Sequence, residues 1–301
     1  MCTNPEPLAD GSSSPRLPRW LKRNVPKGNA NHFTARLIDS LALNTVCDHA
    51  RCPNRMECYS QRTATFMILG DVCTRRCRFC SVATGRPEPI DPDEPRRVAA
   101  AARKLGLRHV VITCVTRDDL PDGGAEHFCR TVAAVRAACP GATVEVLPSD
   151  FVGNAAAVDL LIAAAPEVFN HNTETVPRLY PSVRSPKSNY RWTLEMFRRV
   201  RRGNAKIRLK TGLMLGLGET VEELLDTLAD LHEAGCRMLT LGQYLQPSPA
   251  QTPVVRYVPP DEFDRLGRAA WQIGYTRVAA GPFVRSSYHA REMVREERVE
   301  G

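Results

Sequence analysis

The stretch TFMILGDVCTRRCRFCSVATG, residues 65–85, joins a short apolar run to three closely spaced cysteines. The apolar run Thr65–Gly70 predicts a β-strand. Cys73, Cys77 and Cys80 follow it with the spacing C-x₃-C-x₂-C. The cysteines are therefore predicted to lie on a loop that begins where a strand ends.

Short β-branched runs alternate with longer amphipathic runs from this stretch onward. The predicted strands are Thr65–Gly70, His109–Val115, Thr143–Leu147, Glu167–Asn172, Lys206–Leu213 and Met238–Tyr244. The predicted helices are Glu94–Leu105, Ala125–Ala138, Asn154–Ala165, Trp192–Arg202, Val221–Ala234 and Glu262–Ile273. Such alternation predicts parallel strands joined by right-handed crossovers, in an open sheet or a barrel.

Polar residues cluster just after the predicted strand ends, where α/β barrels assemble their chemistry. They occur in CVTRDDLPDGG, NHNTET and GQYLQPS, at the second, fourth and sixth strands. No G-x-G-x-x-G opens the first helix, and MLGLGET lacks the Lys-Ser/Thr pair of a phosphate-binding loop. We therefore predict an α/β fold, a partial TIM-like (β/α)6 barrel, with an N-terminal cysteine-bearing extension and a short C-terminal extension.

The amino-acid composition limits the classes of protein to which the chain can belong. The chain has 301 residues, 43% hydrophobic and 25% charged, as expected of a soluble globular protein. It has no run of eighteen apolar residues and no apolar signal core near its start, so we expect neither a membrane protein nor a secreted one. In the cytoplasmic, reducing location that this favours, eleven cysteines indicate metal binding or catalysis more than disulfides.

The formal net charge of +8 favours an acidic partner. The basic residues are spread along the chain, and no zinc-finger, homeodomain or RNA-binding aromatic motif accompanies them, so nucleic acid is not expected. Two interpretations stay open. The basic residues either form an ordinary solvated surface or attract an acidic protein substrate.

Three thiolates are one fewer than a structural zinc site requires, and no histidine near the C-x₃-C-x₂-C run completes one. A [4Fe–4S] cluster held by three thiolates keeps one iron free for an exogenous ligand. Three arginines crowd the same loop, Arg75, Arg76 and Arg78. They indicate either a solvated turn or a source of positive potential beside an anionic cluster.

A C-x₃-C-x₂-C loop after the first strand of a β/α series resembles the radical S-adenosylmethionine (SAM) superfamily. The resemblance implies that Cys73, Cys77 and Cys80 hold a [4Fe–4S] cluster whose unique iron is chelated by SAM. It also implies reductive cleavage of SAM to methionine and a 5′-deoxyadenosyl radical. A cofactor is needed for such chemistry because no acid–base side chain breaks an unactivated C–H bond.

A second set, Cys47, Cys52 and Cys58, lies upstream in CDHARCPNRMEC with the spacing C-x₄-C-x₅-C. Taken alone, this set and His49 leave a zinc site as an alternative. Together with the first set it resembles the lipoyl synthase family over about Leu37–Ala290. The same resemblance is carried, in order, by TFMILGDVCTRRCRFC, VTRDDLPDGGAEHF, FNHNTETVPRLY, GLMLGLGE, QYLQPS and RSSYHA.

Lipoyl synthases add two sulfur atoms, at carbons 6 and 8, to an octanoyl chain attached to a lysine of a carrier protein, and consume two SAM molecules. The resemblance implies that Cys47, Cys52 and Cys58 hold an auxiliary [4Fe–4S] cluster that donates the sulfur, with Ser287 of RSSYHA as its fourth ligand. Oxygen binds iron more weakly than thiolate, which suits a cluster that must open. Implied partners are octanoylated lipoyl domains of 2-oxo-acid dehydrogenases, the glycine-cleavage H protein, and an electron donor such as flavodoxin or ferredoxin.

Four polar residues after strand ends are candidates to bind SAM. Asn172 and Glu174 suit the ribose hydroxyls, and Arg184 suits the methionyl carboxylate as a bidentate partner. Thr116 follows the second strand, where radical SAM proteins often hold the amino group. An ordinary loop-capping role is the alternative for each of the four, and His171 is interpreted as structural.

The predicted division of the chain is a flexible tail (1–30), an auxiliary-cluster extension (31–64), a radical SAM partial barrel (65–275) and a C-terminal segment that closes the auxiliary cluster (276–301). If that last segment is extended, the side chain of Ser286 points away from that of Ser287. A methylthiotransferase or a biotin-synthase-like sulfurtransferase is the alternative enzyme. A zinc-stabilised nucleic-acid-binding module is the alternative outside enzymes.

Overall fold

The computed structural model describes residues 17–22 and 29–294. Most of the predicted tail, residues 1–16 and 23–28, lies outside the described residues, as do residues 295–301. The α-helices of the described chain are α1 (Ala30–Ser40), α2 (Val46–His49), α3 (Arg55–Ser60), α4 (Glu94–Leu105), α5 (Ala125–Ala138), α6 (Ala155–Ala164), α7 (Tyr180–Val183), α8 (Tyr190–Gly203), α9 (Val221–Glu233), α10 (Pro260–Ile273) and α11 (Ala290–Val294). The strands are β1 (Asn44–Thr45), β2 (Thr65–Ile68), β3 (Val72–Cys73), β4 (Ala83–Thr84), β5 (His109–Cys114), β6 (Thr143–Leu147), β7 (Val168–Asn170), β8 (Arg208–Leu215), β9 (Met238–Gln243) and β10 (Arg277–Gly281).

Eight of these strands form one sheet, in the order β1-β2-β5-β6-β7-β8-β9-β10. The strands from β2 to β10 run parallel, and β1 alone is antiparallel to its neighbour. The edges of the sheet are β1 and β10, so strand pairing leaves the barrel open. This is the partial α/β barrel that the sequence predicts.

All six predicted strands and all six predicted helices are present, and three of the twelve match at both ends: β6, α4 and α5. The others differ by one or two residues at an end, where local pattern is least informative. At the start of α9, Thr220 caps the helix in a capping box with Glu223. The strand β10 was not predicted and lies within the C-terminal segment.

The inside of the barrel holds a buried ionic cluster shared by four neighbouring strands. Lys210 Nζ lies 2.9 and 3.1 Å from the two carboxylate oxygens of Glu145, and both side chains are fully buried. Asn170 donates to the same carboxylate at 2.7 Å, and His109 lies 3.1 Å from it. Burial by itself raises the pKa of Glu145, but Lys210 and His109 outweigh it and lower the pKa to about 2. The carboxylate therefore stays charged and paired.

The N-terminal extension and the C-terminal segment contact each other. Asn54 Nδ2 donates to the carbonyl of Phe283 at 2.7 Å, and the hydroxyl of Tyr288 donates to Glu57 at 2.9 Å. The helix α11 then contacts β10, at one edge of the sheet, and β5. In the described chain, every helix is too short or too polar to span a bilayer.

Candidate active site

A cavity of about 460 Å³ lies at the carboxyl ends of the parallel strands. Its wall includes the ends of β5, β6, β7, β8 and β9 and the loop that follows β3. Of the eleven residues proposed from the sequence, ten line it: Cys47, Cys52, Cys73, Cys77, Cys80, Thr116, Asn172, Glu174, Arg184 and Ser287. Residues up to 240 positions apart in the chain thus meet at one point because parallel strands all end on the same face.

The first cysteine set occupies a loop fixed by backbone hydrogen bonds. The backbone N–H of Thr74 donates to the carbonyl of Thr116 at 3.0 Å, which ties the start of the loop to the end of β5. The N–H of Arg78 donates to Val183 at 2.9 Å, and the carbonyl of Arg78 accepts from Thr252 at 2.8 Å. Three neighbouring segments therefore hold the loop in place while its cysteines face the cavity.

Arg75, between the first two cysteines, is buried and anchors the same loop. Its guanidinium makes bidentate contacts with Asp118, at 2.9 and 2.9 Å, and with Asp150, at 2.9 and 2.6 Å. A further contact reaches the hydroxyl of Ser188 at 3.3 Å. Two carboxylates offset its charge, so Arg75 is neither a solvated residue nor a free source of positive potential. Arg76 remains exposed.

The second cysteine set is divided between two cavities. Cys47 and Cys52 line the main cavity, whereas Cys58 lines a second cavity of about 300 Å³. Ser287 lines both. Of these four residues, Ser287 is thus the one common to the walls of both cavities.

The expected orientation of Ser286 is wrong. Its hydroxyl accepts a hydrogen bond from Asn172 Nδ2 at 3.1 Å, and Ser286 and Ser287 both line the main cavity. The reason is local geometry. The segment is a turn, closed by a bond from the N–H of Tyr288 to the carbonyl of Arg285, so consecutive side chains do not alternate as they do in a strand.

The four candidate SAM residues all line the main cavity. Arg184 Nη1 lies 3.9 Å from the carboxylate of Glu174. Burial raises the pKa of Glu174, and Arg184, Asn172 and Arg285 oppose that effect. Glu174 has a φ of 71°, a left-handed conformation that non-glycine residues seldom adopt and that occurs at functional sites. Thr116 supplies the carbonyl that anchors the cysteine loop.

Comparisons with known proteins identify the family. A family model described as the radical SAM superfamily matches residues 67–231, and one described as the N-terminal domain of lipoyl synthase matches residues 5–52. The lipoyl synthase of Rhodopirellula baltica is 62% identical over 290 residues, which cover 96% of this chain and 91% of that protein. The lipoyl synthase of Caldanaerobacter subterraneus subsp. tengcongensis is 52% identical over 275 residues, covering 91% and 96%.

The chain belongs to the lipoyl synthase family. It is accordingly an enzyme, a sulfurtransferase of the radical SAM superfamily, and its cofactors are SAM and two [4Fe–4S] clusters. The resemblance to that family and superfamily is thereby confirmed.

Solved structures agree on the fold alone. The FeFe-hydrogenase maturase HydG from Carboxydothermus hydrogenoformans superposes with a TM-score of 0.58 at 17% identity, over 76% of this chain and 55% of that chain. SuiB from Streptococcus suis, bound to S-adenosylmethionine, superposes with a TM-score of 0.53 at 12% identity, over 75% and 53%. This chain spans about half the length of each of these two proteins.

The donor groups at the lipoyl synthase site fit iron–sulfur clusters. Burial raises the pKa of Cys47 and of Cys80 to about 12 and also raises that of Cys77, so as free thiols they would be protonated and inert. A metal centre deprotonates the thiols that bind it. Within residues 17–22 and 29–294, no three Cys, His, Asp or Glu side chains gather tightly enough to hold one metal ion. Zinc requires such a gathering, whereas each thiolate of a cubic cluster binds a different iron.

Sequence reasoning missed what three polar groups do at the site. Arg75 and Asp150 form the buried pair that anchors the cysteine loop, and His171 lines the cavity although it was interpreted as structural. His171 Nδ1 donates to the carbonyl of Pro148 at 3.0 Å, and its buried Nε2 has no partner within the described chain. Burial, with Arg184 next, lowers the pKa of His171 to about 4, so the ring is neutral and Nε2 accepts. Asp150 was detectable, because it follows a predicted strand end.

Proposed function

We propose that this lipoyl synthase inserts two sulfur atoms, at carbons 6 and 8, into an octanoyl chain attached to a lysine of a lipoyl carrier protein. One observation carries the proposal: five of the six cysteines of the two sets, together with Ser287, line one cavity at the carboxyl ends of the strands. A substrate carbon in that cavity would be within reach of both sets. The family model that matches residues 5–52 favours this activity over a methylthiotransferase or a biotin-synthase-like enzyme.

Each cysteine set has its own proposed task. Cys73, Cys77 and Cys80 would hold the radical-generating cluster. The auxiliary cluster would be held by Cys47, Cys52, Cys58 and Ser287. When bound, the clusters and SAM supply one-electron cleavage and the sulfur atoms. The chain itself orients them: the Arg75 anchor fixes the first loop, and the contacts of Asn54 and Tyr288 hold the two ends of the chain that bear the second set.

The chain also provides the proposed contacts to SAM. Arg184 and Glu174 lie side by side, so a cationic and an anionic group are available for a zwitterionic amino acid end. Asn172 offers an amide for the ribose, and Thr116 lines the same cavity just after β5. Unpartnered buried atoms at Arg184 Nε and Asn172 Oδ1, within the described residues, support a polar ligand here.

The proposed substrates are octanoylated lipoyl domains of 2-oxo-acid dehydrogenases and the glycine-cleavage H protein. The net charge of +8 suits carriers that are acidic. A reduced flavodoxin or ferredoxin is the proposed electron donor, and the cytoplasm the proposed location. Because the barrel is open, a lysine arm has a path to the cavity from outside.

An anaerobic assay tests the proposal. The reconstituted enzyme is incubated with an octanoyl-lysine peptide, SAM and a reductant, and the products are measured by mass spectrometry. We expect a peptide that has gained two sulfur atoms, and about two 5′-deoxyadenosines for each lipoyl group, since each C–H bond requires its own cleavage. Cleavage of SAM without any sulfur in the peptide would contradict the proposed substrate. A methylthio product would favour the alternative enzyme.

A further inference from the structure

Asn172 connects the SAM side of the cavity to the turn that carries Ser287. Its Nδ2 donates to the hydroxyl of Ser286 at 3.1 Å, across 114 positions of sequence. Asn172 lies two residues before Glu174 on the same loop, and both side chains line the main cavity. One side chain on the proposed SAM side therefore contacts the neighbour of a proposed cluster ligand.

Close packing gives this amide little freedom to move. A Cβ added at Gly212 would lie 2.9 Å from Asn172 Oδ1 and 2.7 Å from Thr240 Oγ1, so the amide uses the room that the missing side chain leaves. The N–H of Glu174 also donates to the carbonyl of Gly212 at 3.0 Å, which fixes the loop backbone to β8. Because the amide is closely packed, a shift of the groups on one side of it displaces the groups on the other side.

The turn that receives the hydrogen bond is held against the end of β9. A Cβ at Gly242 would lie 2.1 Å from the carbonyl oxygen of Val284, so only glycine admits the turn at that distance. The N–H of Val284 donates to Gly281 at 3.1 Å. These backbone contacts fix the start of the turn. At Ser286 the side-chain contact comes from Asn172.

We propose that Asn172 is a positioning residue that links the SAM site to the serine turn, residues 284–288, so that SAM binding and order in the turn favour each other. The inference rests on the proposed function, which assigns Asn172 and Glu174 to SAM and Ser287 to the auxiliary cluster. Linkage requires the effect to be reciprocal. If SAM orders the turn, loss of the Ser286 acceptor must weaken SAM binding by the same factor.

The test compares variants of Ser286 in the reconstituted enzyme. Ser286→Ala removes the acceptor, Ser286→Thr keeps a hydroxyl, and Ser182→Ala removes an exposed hydroxyl on α7 as the matched control. SAM affinity is measured by calorimetry, and hydrogen exchange of residues 283–289 is measured with and without SAM. In the wild type, Ser286→Thr and Ser182→Ala, we expect SAM to slow exchange in the turn. In Ser286→Ala we expect that protection to vanish and the affinity for SAM to fall about fivefold or more.

The other outcomes separate the link from the function on which it rests. SAM that binds the wild type without protecting the turn overturns the link and leaves the proposed function standing. Wild-type affinity and protection in Ser286→Ala would overturn it equally. Failure of the wild type to bind SAM would overturn both. Loss of affinity in Ser182→Ala to the same degree as in Ser286→Ala would assign the effect to general destabilisation and overturn the link.

Discussion

At the scale of single residues, the two cysteine sets make separable predictions. Cys77 belongs to the loop that follows β3, and Cys52 to the upstream extension, although both line the same cavity. Cys77→Ala should abolish reductive cleavage of SAM, because the radical-generating cluster loses one of three thiolates. Cys52→Ala should keep that cleavage. The measurement is 5′-deoxyadenosine released anaerobically after reconstitution.

The control for this pair is a cysteine outside both sets. Cys129→Ala, on α5, should keep cleavage and lipoyl product alike, since Cys129 does not line either of the two cavities. Equal loss of cleavage in folded Cys77→Ala and Cys52→Ala would show that the two sets do not hold two clusters with separate tasks.

Ser287 makes a second prediction at this scale. If its oxygen closes the auxiliary cluster, Ser287→Cys offers a thiolate that holds iron more tightly at almost the same position. We expect that variant to bind a full complement of iron and to cleave SAM, yet to form at least tenfold less lipoyl product. Ser287→Ala should instead bind iron less firmly. Iron content, 5′-deoxyadenosine and lipoyl product are measured together.

The hydrogen bond from Asn172 to Ser286 determines which serine can serve as the control for the Ser287 variants. Ser286→Ala is unsuitable because the Ser286 hydroxyl accepts that hydrogen bond. Ser182→Ala takes its place, since Ser182 is exposed and does not line the cavity. Wild-type amounts of product from both Ser287→Cys and Ser287→Ala would remove Ser287 from the cluster.

At the scale of structural elements, the buried arginine of the cysteine loop fits neither of the two interpretations that the sequence left open. The side chains of Arg75, Asp118 and Asp150 are 3%, 6% and 1% exposed, so the charges depend on one another. Arg75→Met should lower the free energy of unfolding by about 3–5 kcal/mol, since it leaves two buried carboxylates with no cation nearer than the exposed Lys187, 3.8 Å from Asp118. Arg76→Met, one position along, should change it by less than about 0.5 kcal/mol, as is usual for an exposed residue.

Urea unfolding of the reconstituted protein, followed by circular dichroism, measures both variants. The double variant Asp118→Asn with Asp150→Asn is informative as well, because it leaves the guanidinium buried without a counter-charge and should also be destabilising. An effect of Arg75→Met no larger than that of Arg76→Met would show that the loop does not depend on this anchor.

The helices and strands also show how much of the fold a local sequence pattern can predict. The six predicted strands and six predicted helices were predictable because each has its own periodicity and its own end signals, such as Asn154 and Thr220 at helix starts, whereas the short β3, β4 and α7 were not predicted. β10 was not, since RVAAG is mostly small residues and only its pairing with β9 makes it a strand. The proposed site residues were found from spacing and resemblance.

The missed groups of the site share a physical cause. The two partners of Arg75 lie 43 and 75 positions away, and the partner of Ser286 lies 114 positions away. No local sequence pattern predicts such contacts. They exist because parallel strands bring distant loops to one face of the sheet. A residue of a loop can therefore be proposed from sequence, but its contact partners become known only from the structure.

At the scale of the whole molecule, the net charge of +8 predicts how the enzyme recognises its carrier. A carrier protein covers a large surface around the cavity, whereas an octanoyl-lysine tripeptide reaches only the cavity. Salt shortens electrostatic reach to about 8 Å at physiological ionic strength, so charge-assisted encounter weakens as salt is added. The KM for an intact carrier should therefore rise with salt several times more steeply than the KM for the tripeptide.

A pair of matched substitutions locates the effect on the surface. Lys187 is 62% exposed and precedes Ser188, which lines the cavity, so it lies at the mouth. Lys206 is exposed as well, but it precedes β8 and so lies at the opposite end of the barrel. Both Lys187→Gln and Lys206→Gln remove one positive charge. If attraction is focused at the mouth, only Lys187→Gln should lower kcat/KM for the carrier, by about two- to fivefold at low salt, as expected for one rim charge.

The two measurements answer different questions about the same charge. An identical salt dependence for carrier and tripeptide would assign the basic excess to solubility and remove it from recognition. Equal losses in Lys187→Gln and Lys206→Gln would instead indicate that the field of the whole molecule attracts the carrier, with no contribution particular to the mouth. A loss confined to Lys187→Gln that vanishes at high salt would place the carrier over the loop that holds Arg184 and Ser188. The proposed SAM contacts and the carrier would then share one element, because both depend on the segment between α7 and α8.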